Sequence, residues 1–197
     1  MQLKVYYVRH GETLFNVIGR SQGWCDSPLT ENGLQQAEQC RLRLQNTHID
    51  CAYCSSLERA ADTAEIILKD RNVPLKKNRD LREMYFGTLE ASRGSEDMKA
   101  CWLAHDFTSF GGENEEMLSR RIRNAFQLIE EESADGESVL VVSHRGYFYY
   151  MLSALFGLDV QRMEKENPDF MNQLIPNASV AVLNFRDGSW SLGGMPK

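Results

Sequence analysis

Apolar and polar positions follow two different periods along this chain. Leu3–Val8 is a short apolar run that stops at Arg9-His10-Gly11. A run of that length ending in glycine reads as a buried strand leading into a loop. From Leu29 to Leu44 the period lengthens: Leu34, Ala37, Cys40 and Leu44 fall on one helical stripe, and Thr30 is placed to cap it. Cys51–Cys54 is short enough for a second buried strand. Ser55-Ser56-Leu57-Glu58 has the spacing of a capping box, and Leu57, Ala60, Ala61, Ala64, Ile67 and Leu68 follow at helical intervals.

The stretch from Leu75 to about Gly112 keeps no clean period and holds Gly87, Gly94, Gly111 and Gly112. It reads as an insertion, partly helical around Met98–Ala104. Leu118, Ile122, Ala125, Phe126 and Ile129 then mark a long amphipathic helix that Asp135-Gly136 ends. Val139–Val142 is a strongly apolar strand, and His144–Gly157 reads as the helix after it. Val180–Phe185 and Trp190–Leu192, joined through Asp187-Gly188, predict a terminal hairpin. Strand and helix in alternation predict an α/β fold: a three-layer α/β/α sandwich around a mainly parallel mixed sheet.

Length and charge narrow the picture. The 197 residues suit a single domain spanning 1–197. A net charge of −6 disfavours a nucleic-acid partner, because binding to phosphate backbones is driven by Lys and Arg. An anionic ligand would need positive charge gathered in one cleft. The first residues have no apolar core of signal-peptide length, and no apolar run reaches the roughly 20 residues of a membrane span. No membrane partner and a cytoplasmic location are therefore expected. The five cysteines, at 25, 40, 51, 54 and 101, do not form a disulfide framework. Cys51-x-x-Cys54 has zinc or redox spacing but no matching second pair, and two small residues on a buried strand is the simpler reading.

Ligands of open parallel sheets bind beyond the carboxyl ends of the strands. Two such ends carry histidine, Val8-Arg9-His10 and Val142-Ser143-His144, and the strand ending at Cys54-Ser55 leads to Arg59. Topology would thus bring His10, His144 and Arg59 to one edge. Neutral imidazole is a good nucleophile near neutral pH. No His-Glu-x-x-His or dense Cys/His cluster points to a metal, so neither metal nor cofactor is expected. Arginine holds phosphoryl oxygens bidentately and keeps its proton, a task that suits Arg9 and Arg59. Taken alone, Arg59 would read as a solvated helix residue paired with Glu58 or Asp62. Glu83, in Leu81-Arg82-Glu83-Met84-Tyr85-Phe86-Gly87, is a carboxyl group in an apolar, aromatic setting. Such a group suits protonation of a leaving oxygen; the plainer alternative is an ion pair with Arg82 or Arg79.

Arg9-His10-Gly11-Glu12-Thr13 with Asn16 resembles the signature of the histidine phosphatase superfamily, the phosphoglycerate mutase-like enzymes. The likeness continues through Asp26-Ser27-Pro28-Leu29-Thr30 with Gly33, Ser55-Ser56-Leu57 with Arg59-Ala60, and Leu81-Arg82-Glu83 with Gly87 and Glu90. Gly111-Gly112-Glu113 and Val141-Val142-Ser143-His144 with Gly146 complete it. The blocks stand in family order and cover most of the chain. The resemblance implies a phosphoglycerate mutase-like fold and a phosphohistidine formed on His10. It implies that Arg9, Arg59 and His144 bind the phosphoryl group and that Asn16 donates a hydrogen bond to it. Glu83 would be proton donor and then base, Gln22 a substrate contact, and no metal would be needed. The family usually has glycine after the second histidine, where this chain has Arg145 before Gly146. That exchange either disturbs the local backbone or adds a contact to an anionic substrate.

Phosphoglycerate mutases proper are longer and carry an Arg-His-Tyr-Gly type segment after the catalytic glutamate. Met84-Tyr85-Phe86-Gly87-Thr88-Leu89-Glu90 is nearer the phosphatase members. The expectation is a metal-independent phosphomonoester hydrolase acting on a small phosphorylated metabolite, with a cap-like insertion at about 84–112. Mutase-type transfer is the alternative, and a catalytically silent phosphate-binding protein is a second. The aromatic residues Trp24, Tyr85, Phe86, Trp102, Phe107 and Phe110 are pocket candidates that could equally be core.

Overall fold

The computed structural model of the chain describes residues 1–167 and 169–194. The first apolar run is β1 (Gln2–Arg9), followed by a single turn, α1 (Leu14–Val17), and by α2 (Glu31–Arg43). Next come β2 (Cys51–Ser55), α3 (Glu58–Ile67), β3 (Leu75–Asn78) and α4 (Glu96–Ala104). The chain continues through α5 (Glu115–Glu132), β4 (Ser138–Ser143), α6 (Arg145–Phe156), α7 (Val160–Glu166) and α8 (Phe170–Leu174), and ends in the hairpin β5 (Val180–Arg186) and β6 (Ser189–Gly194). Among the described residues no helix is long and apolar enough to cross a membrane.

The six strands lie in the order β3-β2-β4-β1-β5-β6. β1 to β4 are mutually parallel wherever they pair, while β5 runs antiparallel to β1 and β6 antiparallel to β5. Alternate side chains of a strand face opposite ways, and the core divides accordingly. Val5, Tyr7, Val139 and Val141 pack with Ile122, Phe126, Phe148 and Met151 of α5 and α6. Val8, Ala52, Leu140 and Val142 pack with Cys40 of α2 and with Ala60, Ala64 and Ile67 of α3. One sheet between two helical layers is the expected α/β/α sandwich.

Three local expectations change, and the plainer reading of the Cys51-x-x-Cys54 spacing holds. Ser55 does not cap α3: the N-cap position is Leu57, and the Asp26 carboxylate takes the end of the helix, accepting from the Glu58 N–H at 2.5 Å. A carboxylate distant in sequence replaces the local hydroxyl because it also meets an arginine in the first turn. Leu34 stays 41% exposed, and Gly33 takes the buried place beside Ala37 and Cys40. β3 was hidden in the aperiodic stretch because it is a four-residue edge strand with Lys76 and Lys77 exposed. Cys51 and Cys54 point to opposite faces of β2, one packed on each cluster, which rules out their acting as a joint redox or zinc pair.

The loop after β1 is seated on the start of α2 by backbone contact. Thr30 caps α2 through its Oγ1, which accepts from the Gly33 N–H at 3.0 Å, and the Thr30 N–H donates to the Glu12 carbonyl at 2.9 Å. A Cβ on Gly33 would lie 2.0 Å from the Glu12 carbonyl oxygen, and one on Gly11 2.6 Å from that of Gly33. Both contacts are with backbone, so neither can relax by side-chain rotation. Gly33→Ala should cost about 1–3 kcal/mol and lower kcat/KM by more than about tenfold by displacing His10. Thermal unfolding and assay of the expected phosphomonoester hydrolysis test this; a fully active, fully stable variant would show the close approach to be dispensable.

Candidate active site

Register places the strand ends together. Arg9 on β1 pairs with Ser143 on β4, and Cys54 on β2 with Val142. His10 and His144 each stand one residue past a strand, with ring centroids 5.2 Å apart. The His10 N–H donates to the Ser143 carbonyl at 3.0 Å, and the Asn177 amide donates to the His10 carbonyl at 3.0 Å. Beside them opens a cleft of about 810 Å³ whose walls include Arg9, His10, Asn16, Gln22, Arg59, Glu83 and Arg145. His144 is fully buried just behind it.

His10 is 3% exposed. Its Nδ1 lies 2.7 Å from the Gly11 carbonyl oxygen, which can only accept. The proton therefore sits on Nδ1, and Nε2 carries the lone pair. Burial first, then the Arg59 and Arg9 guanidiniums, lower the His10 pKa well below its usual 6.5. The ring is thus neutral and nucleophilic at neutral pH. Burial, Arg59 and His10 depress His144 in the same direction. Tyr7 holds the His144 backbone: its hydroxyl donates to the His144 carbonyl at 2.8 Å and accepts from the His144 N–H at 3.2 Å.

Arg59 is 1% exposed, not solvated. It pairs with Asp26 at 2.8 Å rather than with Glu58 or Asp62, and donates to the carbonyls of Cys25 at 3.0 Å and Gly23 at 2.8 Å. Arg9 donates to the Ile175 carbonyl at 3.0 Å. Burial and then the neighbouring Arg145 pull its pKa down to about 9, which leaves it cationic at pH 7. The Nε atoms of Arg9 and Arg59 and both ring nitrogens of His144 are buried with no hydrogen-bond partner. Buried polar groups are normally satisfied. A neutral imidazole donates from one nitrogen only, so up to three of these atoms, two guanidinium N–H groups and one His144 N–H beside His10, suit a ligand rich in acceptor oxygens and in negative charge.

Glu83 makes no ion pair with Arg82 or Arg79. Arg82 donates instead to Ser56 Oγ at 2.7 Å. The Glu83 carboxyl lies at the start of α6, where it accepts from the N–H groups of Gly146 at 3.0 Å, Tyr147 at 2.7 Å and Met84 at 2.9 Å. Its immediate setting is backbone rather than the apolar one expected. A side chain at Gly146 would come within 2.8 Å of a Glu83 oxygen. Arg145 begins α6 with no positive φ, so the expected backbone disturbance does not arise. Glycine is needed one residue later.

Asn16 and Gln22 reach the cleft through Thr13. Asn16 Oδ1 accepts from the Thr13 N–H at 3.1 Å, and Gln22 Oε1 accepts from the Thr13 hydroxyl at 3.1 Å. Each side-chain NH2 is then the end able to donate into the cleft. Of the six aromatic candidates, Phe86 and Trp102 line the cleft, while Phe107 is core. The sequence reading gave no role to Asp26, Tyr7 or Thr63. Thr63 Oγ1 accepts from the Gly11 N–H at 3.0 Å and donates to the Arg59 carbonyl at 2.6 Å, tying α3 to the His10 loop. Asp26 stood inside a recognised block; nothing in the local pattern marked Tyr7 or Thr63. Among the described residues, no three His, Cys, Asp or Glu side chains converge as a metal site.

The model of the histidine phosphatase superfamily (branch 1) matches residues 5–195. An adenosylcobalamin/alpha-ribazole phosphatase of Escherichia coli is 30% identical over 170 residues, covering 82% of this chain and 83% of that protein. A Yersinia pestis protein named "Probable phosphoglycerate mutase GpmB" is 32% identical, covering 98% and 89%. The solved structure of Bacillus stearothermophilus YhfR superposes with a TM-score of 0.82 at 29% identity, covering 98% of this chain and 96% of that one.

The lowered imidazole pKa values carry a sign. Below about pH 6.5 the unfolded chain binds protons at His10 and His144 that the folded chain refuses, so stability falls as pH drops through that value. Imidazole NMR should show His10 still neutral at about pH 6, and urea unfolding should show a pH slope that shrinks in His10→Gln. A His10 midpoint at or above 6.5 would contradict the cationic, desolvated description.

Proposed function

The chain belongs to the histidine phosphatase superfamily, and we propose that it is a phosphomonoester hydrolase working through a phosphohistidine on His10, with no metal required. The observation that carries this reading is the ring of buried, unpartnered nitrogens on Arg9, Arg59 and His144 around His10. A phosphoryl group offers the acceptor oxygens that would satisfy the two guanidinium Nε–H groups and the one N–H of His144, and its charge spreads over those oxygens as the bond breaks.

In the proposed reaction, His10 Nε2 attacks phosphorus and the bond to the leaving oxygen breaks. Glu83 gives its proton to that oxygen. Arg9 and Arg59 neutralise the developing charge, and His144 and the Asn16 amide donate hydrogen bonds to the peripheral oxygens. Glu83 then takes a proton from the water that attacks phosphohistidine, which releases inorganic phosphate and restores the imidazole. Gln22 and Arg145 contact the substrate farther out.

The leaving group would lie along Phe86, Met98, Trp102 and Met171, an apolar wall suited to a small metabolite with some hydrophobic body. We read residues 84–112, which supply most of that wall, as a cap over a single domain. The relatives' names cover both an alpha-ribazole phosphatase and a phosphoglycerate mutase, so transfer back to the substrate is the second reading. A cytoplasmic location fits five unpaired cysteines.

A panel of p-nitrophenyl phosphate, sugar phosphates, 3-phosphoglycerate and α-ribazole phosphate, assayed in EDTA, tests the proposal. Phosphate release should persist in EDTA and fall by about 10³-fold or more in His10→Ala. Conversion of 3- to 2-phosphoglycerate without phosphate release would favour the mutase. Silence across the panel would favour a binding protein.

A further inference from the structure

Glu83 stands in a connection between two short turns, Arg79–Leu81 and Gly87–Leu89, and belongs to no helix or strand. A proton donor must meet its oxygen at about 3 Å; the N–H groups of Met84, Gly146 and Tyr147 seat the carboxyl, and the backbone that carries it must be held as well. One side chain from α5 holds that backbone. Arg121 has five N–H donors, and all five are engaged. Nε and one Nη2 proton grip Glu113, at 2.7 Å to each carboxylate oxygen. Nη1 donates to the carbonyls of Asp80 at 2.9 Å and Arg82 at 3.1 Å, and the second Nη2 proton to that of Glu83 at 3.1 Å.

Glu113 completes the grip from the other side, accepting from the Tyr85 N–H at 3.0 Å. Consecutive peptides before and after Glu83 are thereby fixed to one ion pair. The Trp24 indole N–H adds a bond to the same Glu83 carbonyl at 2.8 Å. The guanidinium carbons of Arg82 and Arg121 sit 5.0 and 5.8 Å from the Trp24 ring centre. Both members of the pair are largely buried, with side chains 13% and 8% exposed, so the pair is little screened by solvent.

We propose that Arg121 and Glu113 are positioning residues for proton transfer, holding the Glu83 carboxyl against the leaving oxygen without touching substrate themselves. The inference rests on the reading of Glu83 as proton donor. It differs from simple structural support in one measurable way. An alkoxide is a strong base and leaves only with a proton, whereas nitrophenolate is a weak base and leaves without much help. Displacing Glu83 therefore slows alkyl phosphates selectively, while general loss of structure slows both substrates alike.

The experiment compares kcat/KM for glycerol 3-phosphate and p-nitrophenyl phosphate in the unmodified protein and in Arg121→Gln, Arg121→Lys, Glu113→Gln and Glu83→Gln, with thermal unfolding of each. Arg121→Gln and Glu113→Gln should lose about 100-fold on the alkyl ester and about tenfold or less on the aryl ester, within the range of general-acid catalysis. Arg121→Lys should not restore the ratio, since an ammonium cannot span five acceptors. If Arg121→Gln does not fold, Trp24→Phe removes one bond to the same carbonyl and should shift the ratio in the same direction, by about threefold to tenfold. Equal losses on both esters, with Glu83→Gln selective, would overturn the positioning role and leave Glu83 as donor. A Glu83→Gln variant with no selectivity would overturn the donor reading and the positioning role together.

Discussion

Cationic groups crowd one another at the carboxyl edge of the sheet. Arg9 and Arg59 share a buried corner with two neutral imidazoles, and among the described residues Asp26 is the carboxylate that pairs with Arg59. Removing charge from water and placing like charges together both raise the energy of that corner. The depressed imidazole pKa values are the direct consequence. Much of the surrounding structure resists that strain: carbonyls of Gly23, Cys25 and Ile175 hold the guanidiniums, and Thr63, Tyr7 and Asn177 hold the backbone between them. A dianionic phosphoryl group would relieve what the fold alone only contains.

The two glycines that let backbone meet backbone serve the same end. Gly11 and Gly33 bring α2 against the His10 loop, and Gly146 leaves room for Glu83 at the start of α6. His10 and Glu83 thus approach the cleft from different elements, each seated on backbone groups. Such seating is the kind of preorganisation that the proposed catalysis would need.

The positions of His10 and His144 were legible because apolar runs end beside them, and a buried strand ending in a polar residue is a strong local signal. Thr30 and the Ala-rich face of α3 were legible for a similar reason: spacing within one element determines them. Partners distant in sequence were not. Asp26 capping α3 in place of Ser55 depends on a contact across 32 residues. The backbone setting of Glu83 depends on α6 arriving 63 residues later. Short elements were equally opaque: β3 has four residues and α8 five, too few for either to display a period. Arg145 was legible only as a departure from a pattern, and its helical backbone removed the difficulty that departure suggested.

Which atom accepts phosphate decides whether His10 is the nucleophile. Rapid mixing with a hydrolysable phosphomonoester, quenching in base where phosphohistidine survives, and peptide mass spectrometry would identify it. Phosphate on His10, lost on acid treatment and absent when His10 is replaced, is the outcome expected of a phosphohistidine route. Turnover with His10 never modified, or phosphate found on a carboxylate or on His144 instead, would contradict it.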